Sequence, residues 1–180
     1  MILIRDDDVI LHSSGKYKDK EFERFKYVHE QICRAPTKLL HCPAILCKEI
    51  QGFPEAIDYI KIETAAGRMR PYLHCLDHTD WTTNSNQTIK DMLQECDGWF
   101  NEYLNCQYQV WATPWGSTSE AAHQAADWLG VRLETTDETI DYKLAVKAIR
   151  QHGSVDILEN RTVLMHWWEK GLSIFRYNGE

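Results

Sequence analysis

Strand-like and helix-like runs alternate along the whole chain, and this rhythm constrains the fold more than any other feature. Met1 to Ile4 reads as a short strand of large apolar residues. "KDKEFERFKYVHEQICRA" then sets Phe22, Phe25, Val28 and Ile32 on one helical face, with Pro36 as the stop. "TKLLHCPAILC" is the next strand-like run, and Pro43 within it marks a bulge or a strand end. "FPEAIDYIKIETAAGR" reads as a helix with Pro54 near its start and Gly67 at its end. The alternation continues with the strand "PYLHCL", the helix "NQTIKDMLQECDGWFNEYL" and the strand "YQVWAT". After these come the capped helix "STSEAAHQAADWLG", the strand "VRLET", the helix "DETIDYKLAVKAIRQHG" and the strand "RTVLMHWW". No internal repeat, low-complexity stretch or long linker interrupts the series, so one domain over residues 1–180 is expected. The pattern predicts a parallel α/β architecture, and periodicity alone fits an open sheet as well as a closed barrel.

In parallel α/β folds the C-terminal ends of the strands meet at one face, where sites are built. The residues with chemical capacity fall at those ends. Asp6, Asp7 and Asp8 follow the first strand, His74 and His78 lie in "YLHCLDHTDW", "WATPWGS" follows the fourth strand, and His166 sits in "VLMHWW". Three adjacent carboxylates repel one another and are costly to bury unpaired. They imply either a solvated acidic loop or a cation among them. His74 and His78, joined by Asp8, would form a His-His-Asp set suited to Zn²⁺ or a similar borderline metal. The competing reading is a polar loop, since H-x-x-x-H also arises by chance. The remaining histidines (12, 29, 41, 123 and 152) read as structural or solvated.

Composition narrows the range of partners. The chain carries 20 Lys and Arg against 27 Asp and Glu, a formal net charge of -7, and shows no basic stripe, so nucleic acid is not an expected partner. No apolar run approaches the roughly 20 residues of a membrane span. The first residues lack the pattern of a signal peptide, so a cytoplasmic location is expected. Six cysteines without a C-x-x-C are expected as reduced thiols. Seven tryptophans and eight tyrosines suit a core, or a surface that stacks on flat or sugar-like ligands. Oligomeric state leaves no trace in the sequence.

Taken in order, these four stretches resemble the motifs of the polysaccharide deacetylase family. These are carbohydrate esterases of family four, which remove N-acetyl groups from amino sugars. "RDDDV" is similar to T-F-D-D-G with Asp7 and Asp8 as the paired aspartates, the alternative register being Asp6 and Asp7. "HCLDH" keeps the spacing of H-S/T-x-x-H, with Cys75 in the small polar position. "ATPWG" resembles R-P-P-Y-G at Pro114 and Gly116, with Trp115 for the tyrosine, and "LMH" reproduces the fifth motif at Leu164 and His166. The likeness runs from Asp7 to His166, nearly the whole chain.

The resemblance implies an irregular (β/α) barrel of about seven parallel strands. It also implies one divalent metal ion, zinc first, held by Asp8, His74 and His78, which would polarise an acetamide carbonyl and activate water. In this scheme Asp7 is the general base and His166 the general acid toward the departing amine. Pro114, Trp115 and Leu164 bind substrate: the backbone N–H of Trp115 faces the oxyanion and Leu164 walls the acetyl methyl. The implied substrate is an acetylated amino sugar or polysaccharide.

Two departures stand out. Ala112 occupies the position of the family arginine that pairs with the base, leaving Arg5, Arg68 or Arg70 to supply the charge. The fourth motif, an aspartate and tryptophan supporting the catalytic histidine, has only Asp137 and Asp141 as candidates. Asp77 and Asp80 would orient the ligand histidines or lie in an exposed loop. Two other readings follow from the residues: a metal hydrolase of another bond, such as a phosphoester, or a catalytically silent relative that binds carbohydrate or serves assembly.

Overall fold

The structure is a computed structural model that describes residues 1–9, 18–34, 39–152 and 160–166. Within these, the side chains of Asp8, Lys18, Asp19, Lys20, Val146, Ile149, Arg150, His152, Met165 and His166 fall outside the description, and His12 and Pro36 lie outside the described residues altogether. The strands are β1 (Ile2–Val9), β2 (Leu39–Leu46), β3 (Tyr72–Cys75), β4 (Val110–Ala112), β5 (Arg132–Glu134), β6 (Ile140–Asp141) and β7 (Thr162–His166). The helices are α1 (Lys18–Cys33), α2 (Cys47–Gln51), α3 (Pro54–Ala65), α4 (Asn86–Trp99), α5 (Glu120–Leu129) and α6 (Tyr142–His152). The seven described strands are parallel in the order β5-β4-β3-β2-β1-β7-β6, as the alternation predicts for a parallel α/β fold, and curl into a half-barrel, as the family resemblance implies.

β1 differs from its expected extent. It runs through the aspartates instead of stopping before them, because pairing with β7 continues through Asp6 to Asp7. Its register against β2 slips between Asp6 and Val9, so the strand end is bulged where the carboxylates lie.

Period-two alternation assigns the faces. Ile2 and Ile4 pack outward against Val28 and Ile32 of α1 and Tyr142 and Ala145 of α6. Leu3 points inward with Leu40, Cys42, Ala44, Tyr72, Val110 and Ala112. The largest apolar cluster lies between the sheet and α2 to α5, including Ile45, Ile60, Leu73, Leu93 and Trp111. The extra strand β6 takes the start of the predicted last helix; Asp141 Oδ1 accepts from Lys143 and Leu144 N–H, which moves the helix start to Tyr142. All six cysteines are free thiols. Among the described residues no helix is long and apolar enough to cross a membrane.

Candidate active site

Arg5 and Asp7 lie two apart on β1 and therefore on the same face, the inner one. Arg5 Nε and Nη2 donate to the two carboxylate oxygens of Asp7, each at 2.7 Å. Both residues are buried, at 0% and 4% exposure. Arg5 Nη1 also donates across the half-barrel to Glu134 Oε1 at 3.2 Å and to the carbonyls of Glu134 and Thr135. Three strands separate β1 from β5 in the sheet, so this contact exists only because the sheet curls. Arg132 closes the set by pairing with the other oxygen of Glu134. Two guanidinium groups thus balance two carboxylates, with a bidentate pair at the centre. A buried ion pair withstands its desolvation cost only under such geometry. Burial opposes the charge on Arg5, but Asp7 and then Glu134 more than offset it and raise its pKa above the ordinary value.

His74 is held from two sides. Its Nδ1 donates to the carbonyl of Ala112 on β4 at 2.6 Å, and the indole N–H of Trp111 donates to its own carbonyl at 3.1 Å. Donation from Nδ1 puts the lone pair of the neutral ring on Nε2, the tautomer a ligating imidazole adopts. Tyr72 belongs to the inner cluster, so His74, two residues on, shares the inner face of β3 with Arg5 and Asp7 on β1. The His78 ring lies 5.6 Å from that of His74, and 4.5 Å from Trp115 in an edge-on contact.

The loop between β3 and α4 is fixed by the two other acids of "LDHTD". Asp77 accepts from the Trp81 indole at 2.9 Å and pairs with Lys48 at 3.5 Å. Asp80 caps the turn at Thr82 through N–H and hydroxyl. Both therefore hold the loop, while a carbonyl orients His74.

"TPWG" forms a tight turn in which Trp115 (φ 54°) and Gly116 (φ 67°) are both left-handed. Left-handed backbone costs a tryptophan about 1 kcal/mol or more and is commonly kept at functional sites. Gly116 is dictated by space as well, since a Cβ there would meet Thr136 Oγ1 at 2.4 Å. Trp115 is 62% exposed, which rules out the core role that a tryptophan commonly fills. Pro114 and Leu164 are buried. Backbone register sets His166 beside Asp7 and Leu164 beside Arg5, so the first and last strands bring their motifs together.

Two expectations need correction or reassignment. Asp6 is fully buried on the outer side of β1, 3.7 Å from His41 Nε2, and so does not belong to a solvated acidic loop. The extension of β1 is the reason. Of the three arginines that stood in for the one missing at Ala112, Arg5 meets Asp7, whereas Arg68 is committed to Glu63 in a bidentate pair. Glu134 escaped notice in the sequence because its role arises only when the sheet curls. The R-x-D alternation of Arg5 and Asp7 was the available signal for their pairing. Asp137 and Asp141 are both exposed, and Asp141 caps α6.

The metal expected from the motif likeness can be tested against the donors. The His74 tautomer and the nearness of His78 fit a ligand pair. Among the described residues no group of three His, Cys, Asp or Glu gathers as a metal site, and the third expected ligand, the Asp8 side chain, is outside the description.

A curled parallel half-barrel with these groups at its strand ends has the fold of the CE4 carbohydrate esterases. Three solved structures illustrate the likeness. A CE4 family pseudoenzyme from Bacillus anthracis superposes with a TM-score of 0.61 at 17% identity, over 92% of this chain and 54% of the other, so this chain spans about half of that protein. The peptidoglycan deacetylase PdaC from Bacillus subtilis gives 0.61 at 12% identity, over 94% and 76%. A family 4 acetyl xylan esterase from Clostridium thermocellum, in complex with a cobalt ion, gives 0.59 at 10% identity, over 96% and 77%. No family model matches the sequence. No curated protein matches it either.

Proposed function

We propose that this protein is a metal-dependent hydrolase that removes an N-acetyl group from an amino sugar or related glycoconjugate. The observation that carries the reading is the bidentate Arg5–Asp7 pair on the inner face of a CE4-like half-barrel. It restores from β1 the guanidinium partner that the third motif lacks at Ala112. Asp8, His74 and His78 would hold a zinc ion, or an ion such as the cobalt bound by the Clostridium thermocellum esterase. Bound there, the ion would supply Lewis-acid polarisation of the acyl carbonyl.

The chain's own residues account for the rest. Asp7, oriented by two N–H bonds from Arg5, takes a proton from the attacking water. The backbone N–H of Trp115 donates to the developing oxyanion. His166 gives a proton to the departing amine, and Leu164 walls the acetyl methyl. The exposed indole of Trp115 offers a flat apolar surface to a sugar ring.

Acetate release tests the proposal. Protein loaded with zinc or cobalt is incubated with N-acetylated chitooligosaccharides and peptidoglycan fragments. The expected outcome is release from at least one, reduced about 10²–10⁴-fold in Asp7→Asn, with circular dichroism confirming that the variant folds. Release that survives the substitution unchanged would exclude Asp7 as the base. A second reading is favoured by Ala112 and by the pseudoenzyme among the structural neighbours: a silent relative that binds carbohydrate. It predicts no acetate from the wild type but measurable oligosaccharide binding by calorimetry.

A further inference from the structure

The outer side of β1 carries a second buried polar array, separate from the strand-end site. Asp6 Oδ2 lies 3.7 Å from His41 Nε2 on β2. His41 Nδ1 lies 3.1 Å from His29 Nδ1 on α1, and His29 Nε2 lies 3.0 Å from Glu63 Oε2 on α3. Arg68, just beyond α3, donates to both Glu63 oxygens at 2.6 and 2.9 Å. The two imidazoles are 1% and 0% exposed and stack at 5.3 Å with 26° between planes. The array therefore ties α1 and α3 to the sheet through its own protons.

Those protons can be counted. Glu63, bonded by Arg68, is held down to about 2 and accepts, so His29 Nε2 carries a hydrogen. Neutral His29 then presents a lone pair at Nδ1, and His41 must donate from its Nδ1. Each imidazole thus holds one proton, and the lone pair of His41 Nε2 faces Asp6. The separation at this contact is 3.7 Å, beyond hydrogen-bond range. One more proton enters at His41 Nε2 and leaves the other links intact. A further one does not, because two N–H groups would then face each other across the 3.1 Å gap between the Nδ1 atoms.

We infer that this array is a proton-sensitive seam, admitting one proton and excluding a second, so that acid opens α1 from the sheet. The groups around it are consistent with this. From α1, Cys33 Sγ shares His29 Nε2 at 3.4 Å, with Glu30 on the exposed side of the helix. From α3, Tyr59 meets the His29 ring edge-on at 5.8 Å. Phe25 covers the His41 ring at 5.4 Å. Burial, then His41, pushes His29 below its ordinary value, and burial pushes His41 down to about 3. Both groups bind protons less readily folded than unfolded. Their contribution to stability is therefore complete above the unfolded value near 6.5 and is lost as the pH falls toward the folded values.

The test uses the full chain from about pH 7 to about pH 4.5, with assigned imidazole nitrogen spectra and amide exchange corrected for intrinsic rates. The expected result is at most one imidazolium in the folded His29–His41 pair, with α1 amides losing protection before those of α4. Between about pH 6 and 5 the folding constant of the wild type should fall about tenfold more steeply per pH unit than that of His29→Gln, which lacks one of the two titrating groups. Two imidazoles titrating near 6.5 in the folded protein would overturn the inference, as would simultaneous loss of protection in α1 and α4. If His29→Gln does not fold, the wild-type spectra and exchange decide the matter alone.

Discussion

Arg5 serves two carboxylates from the middle of a strand, and its removal strands Asp7, whereas Glu134 keeps Arg132. Breaking a buried ion pair from one side costs about 3–5 kcal/mol, because the remaining charge stays buried without its partner. Arg5→Ala should lower stability by that amount in chemical denaturation. Arg5→Lys should recover part of it, since an ammonium keeps the charge but not the two-pronged geometry. Equal losses in the two variants would mean that packing, not charge, sets the value of Arg5. This pairing was partly legible in the sequence. Two residues apart on a strand means one face, and Arg5 was among the candidates to replace the arginine missing at Ala112. The choice among Arg5, Arg68 and Arg70 was not legible, because it depends on Glu63 having already claimed Arg68. The burial of Asp6 was missed for a related reason: three successive aspartates read as a strand end, whereas pairing with β7 continues through Asp7 and pairing with β2 resumes at Val9.

Individual elements owe their boundaries to local chemistry. α5 begins where Ser119 Oγ accepts from Ala122 N–H at 3.1 Å, and it ends at Gly130 with φ 72°. The same hydroxyl donates to the Thr82 carbonyl at 2.6 Å and so ties the loop carrying His78 to the helix after the Trp115 turn. Ser119→Ala should cost about 1–2 kcal/mol, the usual value of a cap with its second bond added. A thermal melt would register the loss, and one near zero would show that the loop needs no tie to α5. Caps and glycine stops of this kind were readable directly, which is why α5 lies where the sequence put it. β6 was not, because two residues of strand leave no periodic signal and "DETIDY" continues smoothly into an amphipathic helix. The His29–His41–Glu63 array was equally hidden. Its members sit on three elements, and each alone reads as an ordinary polar residue.

At the scale of the whole molecule, the parallel order and the curl bring distant segments to one place. The alternation of strands and helices foretold the parallel sheet, and the motif likeness supplied the half-barrel that periodicity left open. Curl is what lets Arg5 on β1 reach Glu134 on β5, and neighbouring registers bring His166 beside Asp7. The likeness to CE4 structures at 10–17% identity rests on this shape, while the proposed chemistry rests on a few strand-end residues.

The central claim is that those residues serve a metal, and its content can be measured directly. Elemental analysis of protein purified without a histidine tag, beside His78→Ala, should find about one zinc or similar divalent ion per chain in the wild type and a large loss in the variant. No bound metal in the wild type, even after incubation with zinc, cobalt or nickel, would contradict the account.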